Sequence, residues 1–265
     1  MTLFQSFLLG IIQGLTEFIP ISSTGHLLIA QRLMGIPASE EVFSFLVIVQ
    51  LGTLVSLLAF YWKELLSIAR AVLQFRQPTV ERNLGIYILI ATIPALIVGF
   101  LLNDLVERMF QQPMLQASIR LLTAAAVMTL AELISRKNKE LSSMKWYDAL
   151  FVGMMQILAV FPGASRSGTT ISGGMYRGFD RPSAARFAFL MSVPVMLAAG
   201  GYQMLKVIQM PNSLELLPMF AVGFVTAAVV GWFAIRWLID YLSRRSLYVF
   251  AIYCAVVGVI VFILR

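Results

Sequence analysis

The sequence predicts an all-α polytopic membrane protein with six transmembrane helices and two re-entrant helical hairpins, arranged as an inverted-topology internal repeat. Three observations lead to this fold class. The chain is 59% hydrophobic and only 12% charged, whereas charged residues make up about 25% of a soluble domain. Two of its apolar segments are broken in the middle by proline, glycine and serine. These two broken segments also resemble each other at a constant spacing.

Full membrane crossings are predicted from apolar runs of about 20 residues, the length that an α-helix needs to span a bilayer. Six such runs lie at 42–62, 84–104, 114–134, 187–209, 218–239 and 247–264. The segments 2–34 and 148–180 are also apolar, but Pro20 and Pro162-Gly163 interrupt them. Irregular backbone at membrane depth is tolerated only where protein or a watery cavity satisfies it. Each broken segment is therefore predicted to be a re-entrant hairpin.

The two hairpins align without a gap at an offset of 143 residues. Six of sixteen aligned positions are identical, namely Gly10 and Gly153, Gln13 and Gln156, Leu15 and Leu158, Phe18 and Phe161, Ser22 and Ser165, and Gly25 and Gly168. Three predicted spans follow each hairpin, so the second unit would be inverted in the membrane. We expect one integral membrane domain, 1–265, with repeat halves 1–140 and 141–265.

Basic residues set the predicted orientation. They cluster in alternate connections, at Lys63, Arg70, Arg76 and Arg82, at Arg136, Lys137, Lys139 and Lys145, and at Arg244 and Arg245. The positive-inside rule then places these connections in the cytoplasm and both termini outside. The first hairpin would enter from the outer face and the second from the cytoplasm. Their tips would meet near the midplane, where inverted-repeat proteins place their sites.

Charge and cysteine content argue against several other classes. The net charge of +7 is spread over these short clusters rather than along one polar face, so topology explains it and no nucleic acid partner is expected. Cys254 is the single cysteine, which leaves no disulfide framework and no cysteine metal site. No basic segment precedes the first apolar run, so no cleavable signal peptide is predicted.

A polar cluster, QGLTEFIPISSTGH, interrupts the first hairpin and contains the only histidine of the chain. An ionisable group at membrane depth is a functional-site hypothesis by default. Gln13 and Glu17 are four residues apart and would share one helix face. If the helix resumes after the proline, His26 would lie near Ser22 and Ser23. A hydroxyl beside an imidazole is the minimum arrangement for an activated nucleophile.

Each of these groups also has a structural interpretation. One hydroxyl of Ser22, Ser23 or Thr24 is expected to cap the second half-helix by accepting from its free amides. For His26 the alternative to catalysis is a hydrogen bond to another helix. The residues alone leave both interpretations of His26 open.

The second hairpin contains PGASRSGTT, with one arginine, Arg166, among small and hydroxylated residues. Small residues let the backbone approach a ligand, and the amino terminus of a half-helix favours anions. The planar guanidinium fork suits phosphate oxygens. Arg166 therefore either forms a salt bridge with Glu17 or holds a phosphate against it, with a cation on Glu17. The loop lacks G-x-x-x-x-G-K-[ST] and is not a nucleotide P-loop.

With both motifs present, the chain closely resembles, nearly end to end, the bacterial undecaprenyl-diphosphate phosphatase family, also known for bacitracin resistance. The acidic motif of that family, Glu or Gln followed four residues later by Glu, is here Gln13 and Glu17. The resemblance implies a divalent cation such as Mg²⁺ or Ca²⁺, recycling of the lipid carrier for cell-wall synthesis, and a place in the bacterial plasma membrane. It implies catalytic roles for Glu17, Ser23, His26 and Arg166.

We therefore expect hydrolysis of the terminal phosphate of a polyprenyl diphosphate, in a pocket that opens to the outer face. Arg166 and the amides of the second hairpin would bind that phosphate, and Glu17 would hold the cation. His26 would be the general base, toward Ser23 on a covalent path or toward water on a direct path. The predicted substrate-binding residues are Gln13, Ser22, Thr24, Gly163, Ser165, Ser167 and Thr170.

Two other functions remain open at this stage. An inverted repeat with broken hairpins is also transporter architecture, so the chain could carry or flip a polyprenyl phosphate. A non-catalytic anion-binding or lipid-binding scaffold explains less well why so many polar groups lie at membrane depth. The expected partners are the lipid substrate, membrane lipids and a second copy of the chain in a homodimer.

Overall fold

The structure, a computed structural model, describes residues 1–37, 39–74, 79–101, 113–160, 164–209 and 213–265. Ten α-helices and one short 3₁₀ turn, Leu141–Ser143, lie within these ranges. The helices are α1 (Leu3–Thr16), α2 (Ser23–Leu33), α3 (Glu40–Leu73), α4 (Val80–Leu101), α5 (Pro113–Ile134), α6 (Trp146–Val160), α7 (Arg166–Tyr176), α8 (Arg181–Ile208), α9 (Ser213–Arg244) and α10 (Tyr248–Ile263). The predicted all-helical, polytopic fold class is thereby confirmed.

Five of the described helices are long and apolar enough to cross a membrane. They are α3, α4, α5 and the parts of α8 and α9 that span Arg181–Tyr202 and Glu215–Arg244. Five of the predicted spans fall on these helices, although the end of span 84–104 lies outside the described residues. The sixth, 247–264, coincides with α10, which has 16 residues. This helix is shorter than the roughly 20 residues of a typical crossing, so a sixth crossing stays a prediction.

Helix α3 extends well beyond its predicted span, which ends at residue 62. Its backbone departs from helical angles at Tyr61, with φ −101° and ψ 15°, and the helix then continues to Leu73. Charged residues, among them Lys63 and Arg70, occupy this continuation. Hydropathy marks only the part of a helix that lies in lipid, whereas helical hydrogen bonding can continue into the aqueous interface.

The two predicted hairpins are each a pair of short helices, α1 with α2 and α6 with α7. The starting residues of the paired helices differ by the same 143 residues as the sequence alignment. Ser22 and Ser165 are the matching N-caps, and their side chains accept from the amides of Gly25 at 3.4 Å and Gly168 at 3.3 Å. The break predicted at Pro162-Gly163 lies outside the described residues.

Close backbone packing holds the first helix of each pair in place. Helix α1 packs against α9, and α6 packs against α4. A Cβ atom added at Gly10 would lie 2.7 Å from the carbonyl oxygen of Gly223. One added at Gly153 would overlap the backbone of Ala91. Only glycine permits these approaches, so the glycine pair in the alignment reflects equivalent contacts in both halves.

The second helices of the two pairs, α2 and α7, share a neighbouring helix. Helix α7 is buried from Ser167 to Met175, and both α2 and α7 pack against α5. Their amino termini therefore approach each other beside the same helix. The polar residues at these two starts form the candidate site.

Candidate active site

The first break places two hydroxyls and a carboxylate at the start of α2. Helix α1 ends at Thr16, and Pro20 lies in the turn before α2. Ser22 has φ 69° and ψ 89°, a left-handed conformation that costs a non-glycine residue about 1–3 kcal/mol. Ser22 caps α2 and directs Ser23 back toward the end of α1. This local strain is one sign that the turn is constrained by its surroundings.

Glu17 is the centre of the hydrogen-bond network at this turn, although it is only 5% exposed. Its Oε2 accepts from Ser23 Oγ at 2.6 Å and from Gln13 Nε2 at 2.9 Å. Gln50 Nε2 lies at a longer 3.5 Å from Oε1. A buried carboxylate is tolerated when it is paired and hydrogen-bonded. The short Ser23 contact makes Glu17 a proton acceptor for that hydroxyl.

The second break brings a cation to the same carboxylate. Arg166 is the first residue of α7, and its Nη2 donates to Glu17 Oε1 at 2.7 Å. The salt bridge that was one interpretation of this pair is therefore present. Arg166 Nη1 is buried and has no hydrogen-bond partner among the described residues. A guanidinium carries five N–H donors, so the ion pair leaves the Nη1 group available for a phosphate.

Hydroxyls surround Arg166 at the start of α7. Ser165 Oγ and Ser167 Oγ lie 3.3 Å apart, and Ser167 Oγ also donates to the carbonyl of Ile19 at 3.3 Å. Thr170 Oγ1 donates to the carbonyl of Arg166 at 2.8 Å. The last contact fixes the helix turn that carries the arginine. The Ser167 contact ties the second break directly to the first.

These groups enclose a cavity of about 210 Å³. It is lined by Glu17, Ser22, Ser23, Thr24, Gln50, Ala95, Arg120, Gln156, Ala159, Ala164, Ser165, Arg166, Ser167 and Val195. The amino termini of α2 and α7 both contribute to this lining, and each carries positive potential from its helix dipole. The two arginines in the lining, Arg120 and Arg166, add to that potential, and the carboxylate of Glu17 offsets part of it. The cavity is therefore suited to an anion that carries more than one negative charge.

His26 does not belong to the lining of this cavity. Its Nδ1 lies 2.9 Å from the carbonyl oxygen of Ser22 and its Nε2 lies 2.8 Å from the hydroxyl of Tyr253 in α10. A carbonyl only accepts, so Nδ1 carries a proton, and when the ring is neutral the Tyr253 hydroxyl donates to Nε2. The imidazole also stacks on the Tyr253 ring, with 5.6 Å between centroids. The interhelical hydrogen bond considered for His26 is thus present, and its catalytic role stays a prediction.

The other predicted binding residues divide between the cavity wall and its support. Ser22, Thr24, Ser165 and Ser167 line the cavity. Gln13 and Thr170 lie behind this lining, where they hold Glu17 and the backbone at Arg166. Gly163 lies outside the described residues. The site therefore brings together most of the predicted set, with two members in supporting positions.

Three polar lining residues were not among the predicted site residues: Gln50, Arg120 and Gln156. Gln156 could have been found, because it aligns with Gln13 in the repeat. Arg120 carried a weaker signal, which was only its position within an apolar span. A cation there is a functional hypothesis by default. No residue near Gln50 in the sequence indicates that it belongs to a functional site. Only the packing of α3 beside α1 brings its amide near Glu17.

The cavity offers limited ligation for a metal ion. Glu17 is the one carboxylate in the lining, and the described parts of the chain hold no group of three or more His, Cys, Asp or Glu side chains that could bind a metal. Mg²⁺ is commonly held by one or two carboxylates together with substrate phosphates. The residues therefore fit a cation shared between Glu17 and a bound phosphate, and not one held by the protein alone.

The fold and the site together define a polytopic membrane protein with a polar cavity, built where two half-length helices begin. The chain belongs to the family described as bacitracin resistance protein BacA, whose sequence profile matches residues 6–260. It is similar to three proteins that are each named undecaprenyl-diphosphatase. One from Alkaliphilus metalliredigens is 35% identical over 98% of both chains.

The other two relatives show the same extent of similarity. The protein from Rubrobacter xylanophilus is 39% identical over 95% of this chain and 94% of its own length. The one from Halothermothrix orenii is 38% identical over 100% of this chain and 98% of its own length. The similarity therefore covers both hairpins and all of the described helices.

Proposed function

We propose that this protein hydrolyses undecaprenyl diphosphate to undecaprenyl phosphate and inorganic phosphate. Membership of the BacA family and the names of its relatives support this activity. Such a reaction regenerates the lipid carrier of cell-wall synthesis and accounts for bacitracin resistance, the property that names the family. The observation that carries the proposal at the level of residues is the contact of one buried carboxylate, Glu17, with both Ser23 and Arg166.

The terminal phosphate is proposed to bind at the start of α7. Arg166 Nη1 is the available donor, and the hydroxyls of Ser165 and Ser167 line the same part of the cavity. The amide groups at the helix start add further donors and partial positive charge. Phosphoryl transfer needs mainly positioning and stabilisation of charge on the phosphoryl oxygens. Fixed donors in a cavity of this kind supply both.

Ser23 is the proposed nucleophile on a covalent path. Its Oγ attacks the terminal phosphorus, the bond from that phosphorus to the bridging oxygen breaks, and undecaprenyl phosphate leaves with the bridging oxygen. Glu17 accepts the proton of Ser23, as the 2.6 Å contact favours. Water then hydrolyses the phosphoserine. On a direct path Glu17 accepts a proton from water instead, and Ser23 positions it.

His26 was predicted to be the general base, and its geometry favours a positioning role. Both ring nitrogens are already hydrogen-bonded, to Ser22 and Tyr253. The bond to the Ser22 carbonyl stabilises the left-handed turn that precedes the nucleophile. In this proposal His26 keeps Ser23 aligned with Glu17.

A divalent cation, Mg²⁺ or Ca²⁺, is part of the proposal. Glu17 and the diphosphate oxygens would hold it together. When bound, such an ion neutralises charge and polarises phosphoryl oxygens. Gln13, which donates to Glu17 at 2.9 Å, would keep the carboxylate in position for this contact.

The membrane arrangement is proposed as an inverted repeat with six crossings and two re-entrant hairpins. The matched bounds of the two helix pairs support the repeat, as do the equivalent glycine contacts of Gly10 and Gly153. By the positive-inside rule, the basic connections would lie in the cytoplasm and both termini outside. The protein would lie in the plasma membrane, with its cavity open to the outer face. A homodimer among membrane lipids is the proposed assembly.

The experiment is phosphate release by the purified protein in detergent. Undecaprenyl diphosphate and the shorter farnesyl diphosphate are offered as substrates, with and without a metal chelator. Release that depends on the cation supports the proposal. The rival is a transporter or flippase, which the transporter-like repeat favours. The rival would be established by movement of a labelled lipid across the membrane of proteoliposomes, with no phosphate released either there or in detergent.

A further inference from the structure

Gln156 is a buried residue of the cavity whose polar atoms are unexplained by the fold. It is only 2% exposed, and it lines the cavity from helix α6. Both side-chain atoms, Oε1 and Nε2, lack a hydrogen-bond partner among the described residues. Roughly 90% or more of buried polar groups in proteins are hydrogen-bonded. A carboxamide left in this state calls for a partner that the described residues do not supply.

The counterpart in the first hairpin shows what is missing. Gln13 is equally buried, and its Nε2 donates to the carboxylate of Glu17 four residues later. The residue four positions after Gln156 is Val160. The second hairpin therefore retains the carboxamide and has an apolar side chain where the first has its acceptor. Gln156 lines the same cavity as Arg120 and Arg166.

The surroundings of Gln156 differ from those of the helix starts. Ala159, one turn later on α6, lines the same cavity, together with Ala95 from α4 and Val195 from α8. These residues form most of the apolar part of the lining, and Ala164, beside the start of α7, forms the rest. The starts of α2 and α7 contribute its serines and threonine. A diphosphate attached to a hydrocarbon chain has the same asymmetry, since its inner phosphate adjoins the chain and its terminal phosphate does not.

We infer that Gln156 is a substrate-binding residue for the inner phosphate, the one that bears the lipid chain. Its Nε2 donates to a non-bridging oxygen of that phosphate, and its Oε1 accepts from a water in the hydration of the diphosphate. Arg120 also lines the cavity, and its positive charge favours binding of the same phosphate. The terminal phosphate remains with Arg166. This inference rests on the proposed function, because it assigns a subsite within that reaction.

The test compares wild type with Gln156→Met, an apolar side chain of similar length. Loss of one hydrogen bond to a charged phosphate is expected to raise KM for farnesyl diphosphate about tenfold to a hundredfold. The change in kcat should be smaller. Removing an orphaned buried amide does not destabilise the fold, so the unfolding temperature in detergent should stay equal or rise. Ser172→Ala is the matched control, because Ser172 Oγ is another buried atom without a described partner and lies outside the cavity lining.

Two inhibitors separate the subsites. Farnesyl monophosphate carries only the inner phosphate, and inorganic phosphate represents the terminal one. Gln156→Met should weaken inhibition by farnesyl monophosphate about tenfold or more and leave inhibition by inorganic phosphate within about twofold of wild type. If Gln156→Met does not fold, Gln156→Glu preserves the shape and places a negative charge at the subsite. Gln156→Glu should then weaken inhibition by farnesyl monophosphate and leave inhibition by inorganic phosphate near that of wild type.

The outcomes are distinct. If wild type releases no phosphate from either lipid, the proposed function fails and this inference fails with it. If wild type is active, while both Gln156 variants that fold keep the wild-type KM and both inhibition constants, the inference about Gln156 alone is overturned. Equal weakening of both inhibitors also overturns it, because Gln156 would then act on the cavity as a whole.

Discussion

Glu17 and Arg166 are 149 residues apart in the sequence, and their charged groups lie 2.7 Å apart in the structure. The Glu17 side chain is 3% exposed and that of Arg166 18% exposed. Their contact joins the two broken helix pairs. Every proposed chemical role in the site depends on this junction, because Ser23 also donates to the same carboxylate.

The first prediction concerns the stability of this ion pair. Arg166→Met leaves the Glu17 carboxylate buried without its cation, which should cost about 3–5 kcal/mol of unfolding free energy. Adding Glu17→Gln removes the uncompensated charge, so the double variant should recover most of that loss. Thermal unfolding in detergent measures both. A double variant no more stable than Arg166→Met would mean that the buried charge is not the source of the destabilisation.

The second prediction concerns Ser23. Ser23→Ala should lower kcat about a thousandfold or more if this serine is the nucleophile. Acid quenching of wild type with substrate labelled in its terminal phosphate should trap a phosphoserine at this residue. Ser118→Ala is the control, since Ser118 Oγ is buried against the carbonyl of Gly258 and lies outside the cavity lining. Full turnover by Ser23→Ala would exclude the covalent path and leave direct attack of water on the phosphorus as the mechanism.

The third prediction separates the two hydrogen bonds of His26. His26→Ala removes the contact to the Ser22 carbonyl, so kcat should fall about a hundredfold as the turn before Ser23 loses its support and the serine is displaced. Tyr253→Phe removes only the bond to Nε2 and keeps the ring stacking, so its loss should stay below about tenfold. Steady-state kinetics of both variants measure the two losses in kcat. Equal losses would place the functional contact at Nε2 rather than at Ser22.

The fourth prediction concerns the packing of α1 on α9. Gly10→Ala places a methyl group 2.7 Å from the Gly223 carbonyl oxygen, and such overpacking should cost about 1–3 kcal/mol. Gly201→Ala is the matched control in α8, because nothing lies within 4 Å of its added Cβ. That variant should keep or raise the unfolding temperature, since alanine favours helix over glycine. Equal unfolding temperatures for the two variants would contradict the close approach.

The fifth prediction concerns the cation. Chelation of divalent ions should abolish phosphate release, and Mg²⁺ or Ca²⁺ should restore it, because Glu17 is the one carboxylate among the described residues that line the cavity and must share the ion with substrate. Glu17→Gln should not be restored by added ion. Full activity of the chelated wild type would remove the cation from the mechanism.

Local sequence signals were sufficient to locate the breaks in the helices. Pro20 and the serines after it predict where α1 ends and α2 begins, because proline cannot continue a helix and serine caps the next one. The alignment of Ser22 with Ser165 likewise anticipates the start of α7. These features depend on backbone chemistry within a few residues, which a sequence displays directly.

Contacts between distant helices could not be predicted in the same way. His26 is held by Tyr253, which is 227 residues away, and nothing near either residue indicates the other. Gln50 reaches Glu17 only through the packing of α3 beside α1. Gln156 was visible as a repeat partner of Gln13, yet its lack of a described partner appears only in three dimensions. Side-chain orientation thus depends on tertiary packing, which hydropathy does not encode.

The central claim is that Glu17 and Arg166 form one phosphate site from two half-helices. Its most direct test is phosphate release from undecaprenyl diphosphate by wild type and by the Glu17→Gln, Arg166→Met double variant, each shown to be folded by thermal unfolding. We expect steady release by wild type and a rate at least about a thousandfold lower for the double variant. A folded double variant that releases phosphate at a rate near that of wild type would contradict the account.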